Sequence, residues 1–245
     1  KGSEDAGDLV KQALKKIQDI SNQDGMSGLE TGFSKLDALT SGWQPSDLII
    51  IAARPGMGKT AFGMSMAKNM AIDLDTPCAI FSLEMSSVQL ITRMISSETG
   101  ISSGKLRKGN LEPHEWEQLN VKVKNLSKAP IFIDDTPSLS IFDLRAKARR
   151  LASQHGIKII IIDYLQLIRL PNKKLTTEEI GDITRMLKSL AKKLKMTIIL
   201  LSQLSREVEK RADKLPQLSD LRSSGDIEQD ADAVIRSEER RVGKE

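Results

Sequence analysis

Ala53-Arg-Pro-Gly-Met-Gly-Lys-Thr60 follows the apolar run Leu48-Ile-Ile-Ile-Ala-Ala53 and precedes Ala61, Phe62, Met66 and Ala67 at helical spacing. The three pieces read as a buried strand, a glycine-rich turn and a helix over 59–72, the setting that a phosphate-binding loop requires. Gly56 and Gly58 let successive backbone N–H groups curl around an anion, and the helix opening at Lys59 adds the positive end of its dipole. Lys59 then reaches the outer phosphates of a nucleoside triphosphate, and the Thr60 hydroxyl reaches Mg2+. Pro55, Gly56, Met57, Gly58, Lys59, Thr60 and Ala61 are the expected nucleotide-binding residues. Ala53 stands where such a loop usually carries its first glycine, and alanine is small enough for the turn.

Outward from the loop the pattern repeats. Cys78-Ala-Ile-Phe-Ser-Leu83, Ile131-Phe-Ile-Asp134, Lys158-Ile-Ile-Ile-Ile-Asp163 and Thr197-Ile-Ile-Leu-Leu-Ser202 are short apolar runs, and helical patterns over 86–98, 140–155 and 176–195 alternate with them. Strands that are apolar throughout, separated by amphipathic helices, predict an α/β fold with a mostly parallel central sheet covered by helices on both faces. Residues 227–235 lead into one more buried strand. Ligands of such folds bind at the carboxyl ends of the strands.

Polar residues fall at those ends. Asp163, after four isoleucines, is placed to hold the Mg2+ shell through Thr60 or a water. Glu84, just past the second strand, can polarise the water that attacks the γ-phosphate, although a glutamate there also suits a helix start. Gln203 can sense the γ-phosphate and pass the signal to the following loop, or it can simply end a strand. The loop after Gln203 carries Arg206, Lys210, Arg211, Lys214 and Arg222, and Lys173 and Lys174 occupy the connection beyond Asp163. Basic side chains on two connections leaving one sheet edge suit phosphate tracking; a solvated basic surface would look the same.

Composition narrows the classes. The chain has 245 residues, 39% hydrophobic and 29% charged, which suits one α/β domain with a short appendage and is too apolar for a disordered tail. No run approaches the roughly 18 apolar residues of a membrane span. One cysteine, Cys78, and two histidines, His114 and His155, argue against a disulfide framework and a histidine- or cysteine-based metal centre. The start is polar rather than leader-like, so a reducing, cytoplasm-like setting is expected. Net charge is +4 and aromatic content only 3%, so any nucleic acid is held mainly through phosphates, not base stacking.

The ends differ from the middle. The chain begins with Lys1, as a fragment of a longer protein would. Within a 1–27 linker segment, Leu9, Val10, Ala13, Leu14, Ile17 and Ile20 make a narrow apolar stripe over 9–20. That helix packs either on its own domain or on a neighbouring subunit. Residues 28–235 form the main domain. Arg236-Ser-Glu-Glu-Arg-Arg-Val-Gly-Lys-Glu245 is expected to be a non-native tail, because a sequencing-adapter read-through translates as Arg-Ser-Glu-Glu followed by the start of an Arg codon.

Five ordered motifs carry a resemblance. They are 53–60, Phe81-Ser-Leu-Glu-Met85, Ile162-Asp-Tyr-Leu-Gln-Leu167, Leu201-Ser-Gln-Leu-Ser-Arg206 and the block from Ser219 to Asp232. Together they resemble the C-terminal motor domain of the bacterial DnaB-type replicative helicases, over residues 8–235. The resemblance implies a RecA-like P-loop NTPase fold and a hexameric ring that hydrolyses ATP, with Mg2+, at subunit interfaces and moves 5′ to 3′ on single-stranded DNA. It implies Lys59 and Thr60 on nucleotide and metal, Glu84 as catalytic base, Asp163 as metal carboxylate and Gln203 as sensor. Arg222 and Gly225 fall in the family's second DNA loop, where family members often have Glu at the position of Ser223; Arg206, Lys173 and Lys174 join them as DNA contacts. Residues 9–20 resemble the linker helix that docks on the adjacent subunit. In the full-length family, primase and a helicase loader are partners. The family's arginine finger would follow residue 235, so this chain is expected to bind ATP and turn it over slowly. A RecA-like ATPase of recombination or circadian type, and an ATP-binding ring scaffold or loader, are the competing readings. The 219–232 block and the linker helix favour the helicase over the first, and the effect of Glu84→Gln on hydrolysis separates the second.

Overall fold

The computed structural model describes residues 5–22, 26–168, 177–204, 220–221, 227 and 229–236. Six strands form one sheet in the order β3-β2-β4-β5-β1-β6: β1 Leu48–Ala53, β2 Cys78–Ser82, β3 Ile131–Asp134, β4 Ile159–Asp163, β5 Thr197–Gln203 and β6 Ala233–Arg236. Every pairing is parallel. The helices are α1 Ala6–Ser21, α2 Ser34–Thr40, α3 Lys59–Lys68 (continued by a π-helical turn, Asn69–Asp73), α4 Ser87–Thr99, α5 Ser103–Lys108, α6 Pro113–Lys128, α7 Ile141–His155 and α8 Thr177–Leu194.

The isoleucine runs explain the sheet. β-Branched side chains fit an extended backbone, and successive residues point to opposite faces, so a run without polar breaks needs cover on both sides. Leu48, Ile50, Ile160, Ile162, Ile198 and Leu200 face one core with Leu144 of α7 and Leu187 of α8. Ile49, Ile51, Ile159, Ile161, Ile199 and Leu201 face the other with Met66 of α3 and Leu90 and Met94 of α4. The strand expected near 227–235 is β6, which differs in being half-buried: it pairs with β1 at the sheet edge, so only one of its sides meets a strand among the described residues.

The acidic block before β6 fastens it to the sheet. Asp232 Oδ2 accepts the Leu48 N–H at 2.7 Å and pairs with Lys188 of α8, whose Nζ also donates to Ser46 O. One turn earlier on α8, the Thr184 hydroxyl donates to Asp230 Oδ2 at 2.8 Å. Asp230 and Asp232 thus bind the end of the 219–232 block to α8 and to the start of β1.

Helix α1 buries no residue. Its stripe of Leu9, Val10, Leu14 and Ile17 is 46–62% exposed, so it does not pack on its own domain, the first of the two readings above. Among the described residues no helix is long and apolar enough to cross a membrane.

Two measurements check this packing. Ile161→Ala, at a fully buried position between sheet and α3, is expected to cost about 2–5 kcal/mol in denaturant titration, whereas Leu39→Ala on α2, 86% exposed, should leave stability nearly unchanged. Burial pushes the Cys78 thiol up to about 12, so the neutral thiol should resist iodoacetamide at about pH 8 until the chain is unfolded, as mass spectrometry would report.

Candidate functional site

The loop expected to grip phosphate joins β1 to α3. Gly56 and Gly58 have φ of 77° and 78°, a backbone region that side chains with a Cβ rarely adopt. A Cβ at either would meet nothing within 4 Å, so the conformation, not crowding, demands glycine, and the space above the turn is open. Gly58 caps α3, whose first-turn amides then face that space. Met57 turns its own N–H to Arg54 O at 3.2 Å. Ala53 is buried in register with Gln203, and its carbonyl accepts the Leu204 N–H at 3.0 Å.

At the centre lies Asp163, the last residue of β4 and fully buried. Lys59 Nζ donates to its Oδ1 at 2.7 Å and the Thr60 hydroxyl to its Oδ2 at 2.6 Å. The Lys59 ammonium also sits 4.0 Å from the centre of the Tyr164 ring, a cation–π contact. A buried carboxylate needs compensation on each oxygen, and the loop supplies both donors from adjacent positions.

A cleft of about 600 Å3 opens over this centre, lined by Pro55, Gly56, Gly58, Lys59, Thr60, Ala61, Glu84 and Gln203 together with Arg54 and Arg93. Met57 is the one expected loop residue that does not line it. Glu84 is carried by a tight turn: Met85 N–H donates to Ser82 Oγ, Ser82 O–H donates to Met85 O, and Leu83 N–H donates to the Asp163 carbonyl at 2.7 Å. The Ser86–Gln89 capping box then starts α4. Ser87 N–H donates to Asp135 Oδ2, which holds the Asp135 carboxyl below the usual carboxylate range. Glu84 is thus set beside Asp163 by main-chain bonds between β2 and β4.

The residues fit a triphosphate with Mg2+. The open glycine turn offers amides to phosphate oxygens, Lys59 offers a cation, and Thr60 and Asp163 offer the oxygen donors that a hard divalent ion prefers. Among the described residues no group of three or more His, Cys, Asp or Glu could hold a metal by itself. A Mg2+ ion bound here would draw on one carboxylate, one hydroxyl and the phosphates, which suits its reluctance to enter an all-protein cage.

Tyr164, Ser82, Arg93 and Gln166 join the site without having been expected. Gln166 Nε2 donates to Ser202 Oγ and to Gln203 O. The apolar-run-plus-polar-tip signal that marked Asp163 does not reach Tyr164 and Gln166, one and three positions beyond β4, or Arg93 inside α4, and it passes over Ser82, whose bonds stay within its own turn. The five residues expected on DNA, Arg206, Lys173, Lys174, Arg222 and Gly225, all lie outside the described residues.

An all-parallel RecA-like sheet with a phosphate loop at its carboxyl edge places the chain among P-loop NTPase domains. The comparisons are narrower. The model of the DnaB-like helicase C terminal domain matches residues 28–242, and the chain belongs to that family. It is 50% identical over 230 residues to the replicative DNA helicase DnaB of Geobacillus stearothermophilus, covering 93% of this chain and 51% of that protein. It is 47% identical to the replicative DNA helicase DnaC of Bacillus subtilis over the same share of each. The chain thus spans about half the length of these relatives. A solved ATPase domain superimposes with a TM-score of 0.87 at 37% identity, over 95% of this chain and 84% of its own. A DnaB-like replicative helicase, described together with its interactions with primase, gives 0.83 at 37% identity over 96% of this chain and 56% of its own.

If the cleft takes a triphosphate, saturating Mg2+ and a non-hydrolysable ATP analogue should raise the melting temperature of the parent chain. At about 100 times Kd the gain corresponds to ~2.7 kcal/mol. Lys59→Ala should abolish that shift in differential scanning fluorimetry and lower the ligand-free melting temperature, because one oxygen of the buried Asp163 loses its donor.

Proposed function

We propose that this chain is the motor domain of a replicative helicase, coupling ATP hydrolysis to 5′-to-3′ movement on single-stranded DNA within a hexameric ring. The observation that carries the reading is the convergence of Lys59 and Thr60 on the two buried oxygens of Asp163, with Glu84 and Gln203 on the same cleft. Each group has a task in phosphoryl transfer. Lys59 and the amides of 58–61 would hold the outer phosphates, and Thr60 and Asp163 would hold the metal. When bound, Mg2+ neutralises charge that builds on the β- and γ-phosphate oxygens. Glu84 accepts a proton from the attacking water, and Gln203 reports the γ-phosphate to the loop beyond β5.

The partners follow from the same reading. Arg206, Lys173, Lys174, Arg222 and the backbone at Gly225 track DNA phosphates. The exposed stripe of α1 covers an adjacent subunit of the ring, which suits four large apolar side chains that its own domain leaves uncovered. In the full-length protein, primase and a loader engage the assembly in the cytoplasm, at the nucleoid. Residues 1–27 act as the linker and 28–235 as the motor; the reading of 236–245 as a foreign tail stands against Arg236 closing β6 and a family match that runs to residue 242, and an uninterrupted natural reading frame through those codons would overturn it.

Two experiments test the reading. Glu84→Gln should lower ATP turnover by about 10²–10⁴-fold while nucleotide affinity stays within a few-fold, since only the proton acceptor is lost. Unchanged turnover would favour a scaffold. Single-strand DNA affinity should fall steeply with salt, and Arg222→Ala should reduce the slope of log K against log salt by about 0.7, the value for one single-strand phosphate contact. An unaltered slope would remove Arg222 from the interface.

A further inference from the structure

Gln166 is the unexplained polar side chain at the carboxyl edge. It lies in a single 3₁₀ turn, Leu165–Leu167, two residues beyond Asp163 and its neighbour Tyr164. Its Nε2 donates to Ser202 Oγ at 3.2 Å and to the Gln203 carbonyl at 3.4 Å. Its Oε1 is buried and has no hydrogen-bond partner among the described residues. An apolar side chain of the same length would fill this space without leaving an acceptor unpaired, so packing alone does not account for an amide here. The two N–H bonds do: both end on the last two residues of β5.

The main chain at that point is held from three sides. Gln166 takes the Gln203 carbonyl, Ala53 of the phosphate loop takes the Leu204 N–H at 3.0 Å, and Leu204 forms an isolated antiparallel bridge with Leu221. The metal-carboxylate strand, the phosphate loop and the start of the next basic segment thus meet at Gln203 and Leu204. Of these residues Ala53 and Gln203 also line the cleft, and Gln203 alone of the two brings a polar side chain to it.

We propose that Gln166 is a positioning residue that holds the end of β5 so that Gln203 faces the γ-phosphate, and that links nucleotide occupancy to the Leu204–Leu221 bridge. The proposal rests on the reading of Gln203 as sensor given above. Gln166 touches neither substrate nor metal in this role; it acts through the Gln203 main chain.

The test compares the 245-residue parent with Gln166→Met, which keeps length and loses both N–H donors, and with Ser202→Ala, which removes one of the two acceptors. Lys59→Ala is the control. Amide exchange at residues 199–204 is followed with and without Mg2+ and a non-hydrolysable ATP analogue, and turnover is measured alongside. Gln166→Met should bind nucleotide within about threefold of the parent, lose the nucleotide-dependent slowing of exchange at Gln203 and Leu204, and turn over about tenfold more slowly at saturating ATP with KM within about threefold. Ser202→Ala should change both readouts in the same direction by less. Parent-like nucleotide-dependent exchange in Gln166→Met overturns the proposal, as does a turnover loss matched by an equal loss of folded protein. Should Gln166→Met not fold, Ser202→Ala decides by the same exchange criterion. Turnover by Lys59→Ala equal to the parent would instead bring down the ATPase reading beneath it.

Discussion

The structure depends on one fully buried carboxylate. Asp163 has no solvent-exposed surface, and its two oxygens accept from Lys59 and Thr60, adjacent residues at the start of α3. A buried ion stripped of one partner is far costlier than one never buried, so this pair ties the phosphate loop to β4 from across the intervening strand β5. The same contact keeps the loop lysine at the site before any phosphate arrives. It is both a staple of the fold and a pre-formed half of the proposed metal site.

From that point the carboxyl edge is wired by two main-chain bonds and one from a side chain. Leu83 reads the Asp163 carbonyl, Leu204 reads the Ala53 carbonyl, and Gln166 reads the Gln203 carbonyl. Each bond joins neighbouring strand tips, so a displacement at one tip is felt at the next. Such an edge suits a domain whose proposed task is to convert a change at a phosphate into movement of a loop. The opposite edge is held by the Lys188–Asp232 pair and by Asp232 on the Leu48 N–H, which leaves the cleft end free of that duty.

Much of this was legible in the sequence, for a physical reason. Four isoleucines before Asp163 and three before the glycine turn cannot be satisfied by a half-exposed strand, so the central sheet, its two covered faces and the placement of polar tips follow from the pattern. Helix α6 was not legible: of its residues only Leu126 is buried, and Trp116 and Val121 face outward, so no apolar stripe announces it. Its signals were Pro113 at the first turn and the Glu112–Glu115 capping box, which mark a start without a face. Tyr164 and Gln166 escaped because their partners lie on other elements, Lys59 of α3 and the end of β5, and Ser82 because its bonds close a turn with Met85 that no apolar pattern marks. The expected strand near 227–235 was placed rightly but expected to be buried, because its apolar residues resemble those of the central strands while its position at the edge is set by pairing with β1.

The central claim is that Asp163 serves first the loop and then a metal. Calorimetric titration of a non-hydrolysable ATP analogue into the parent chain and into Asp163→Asn, each with and without Mg2+, tests it most directly. The account predicts that Mg2+ tightens binding to the parent by at least about tenfold and scarcely affects Asp163→Asn, because the amide lacks the charge that a hard cation requires. Equal Mg2+ dependence in the two proteins would contradict it.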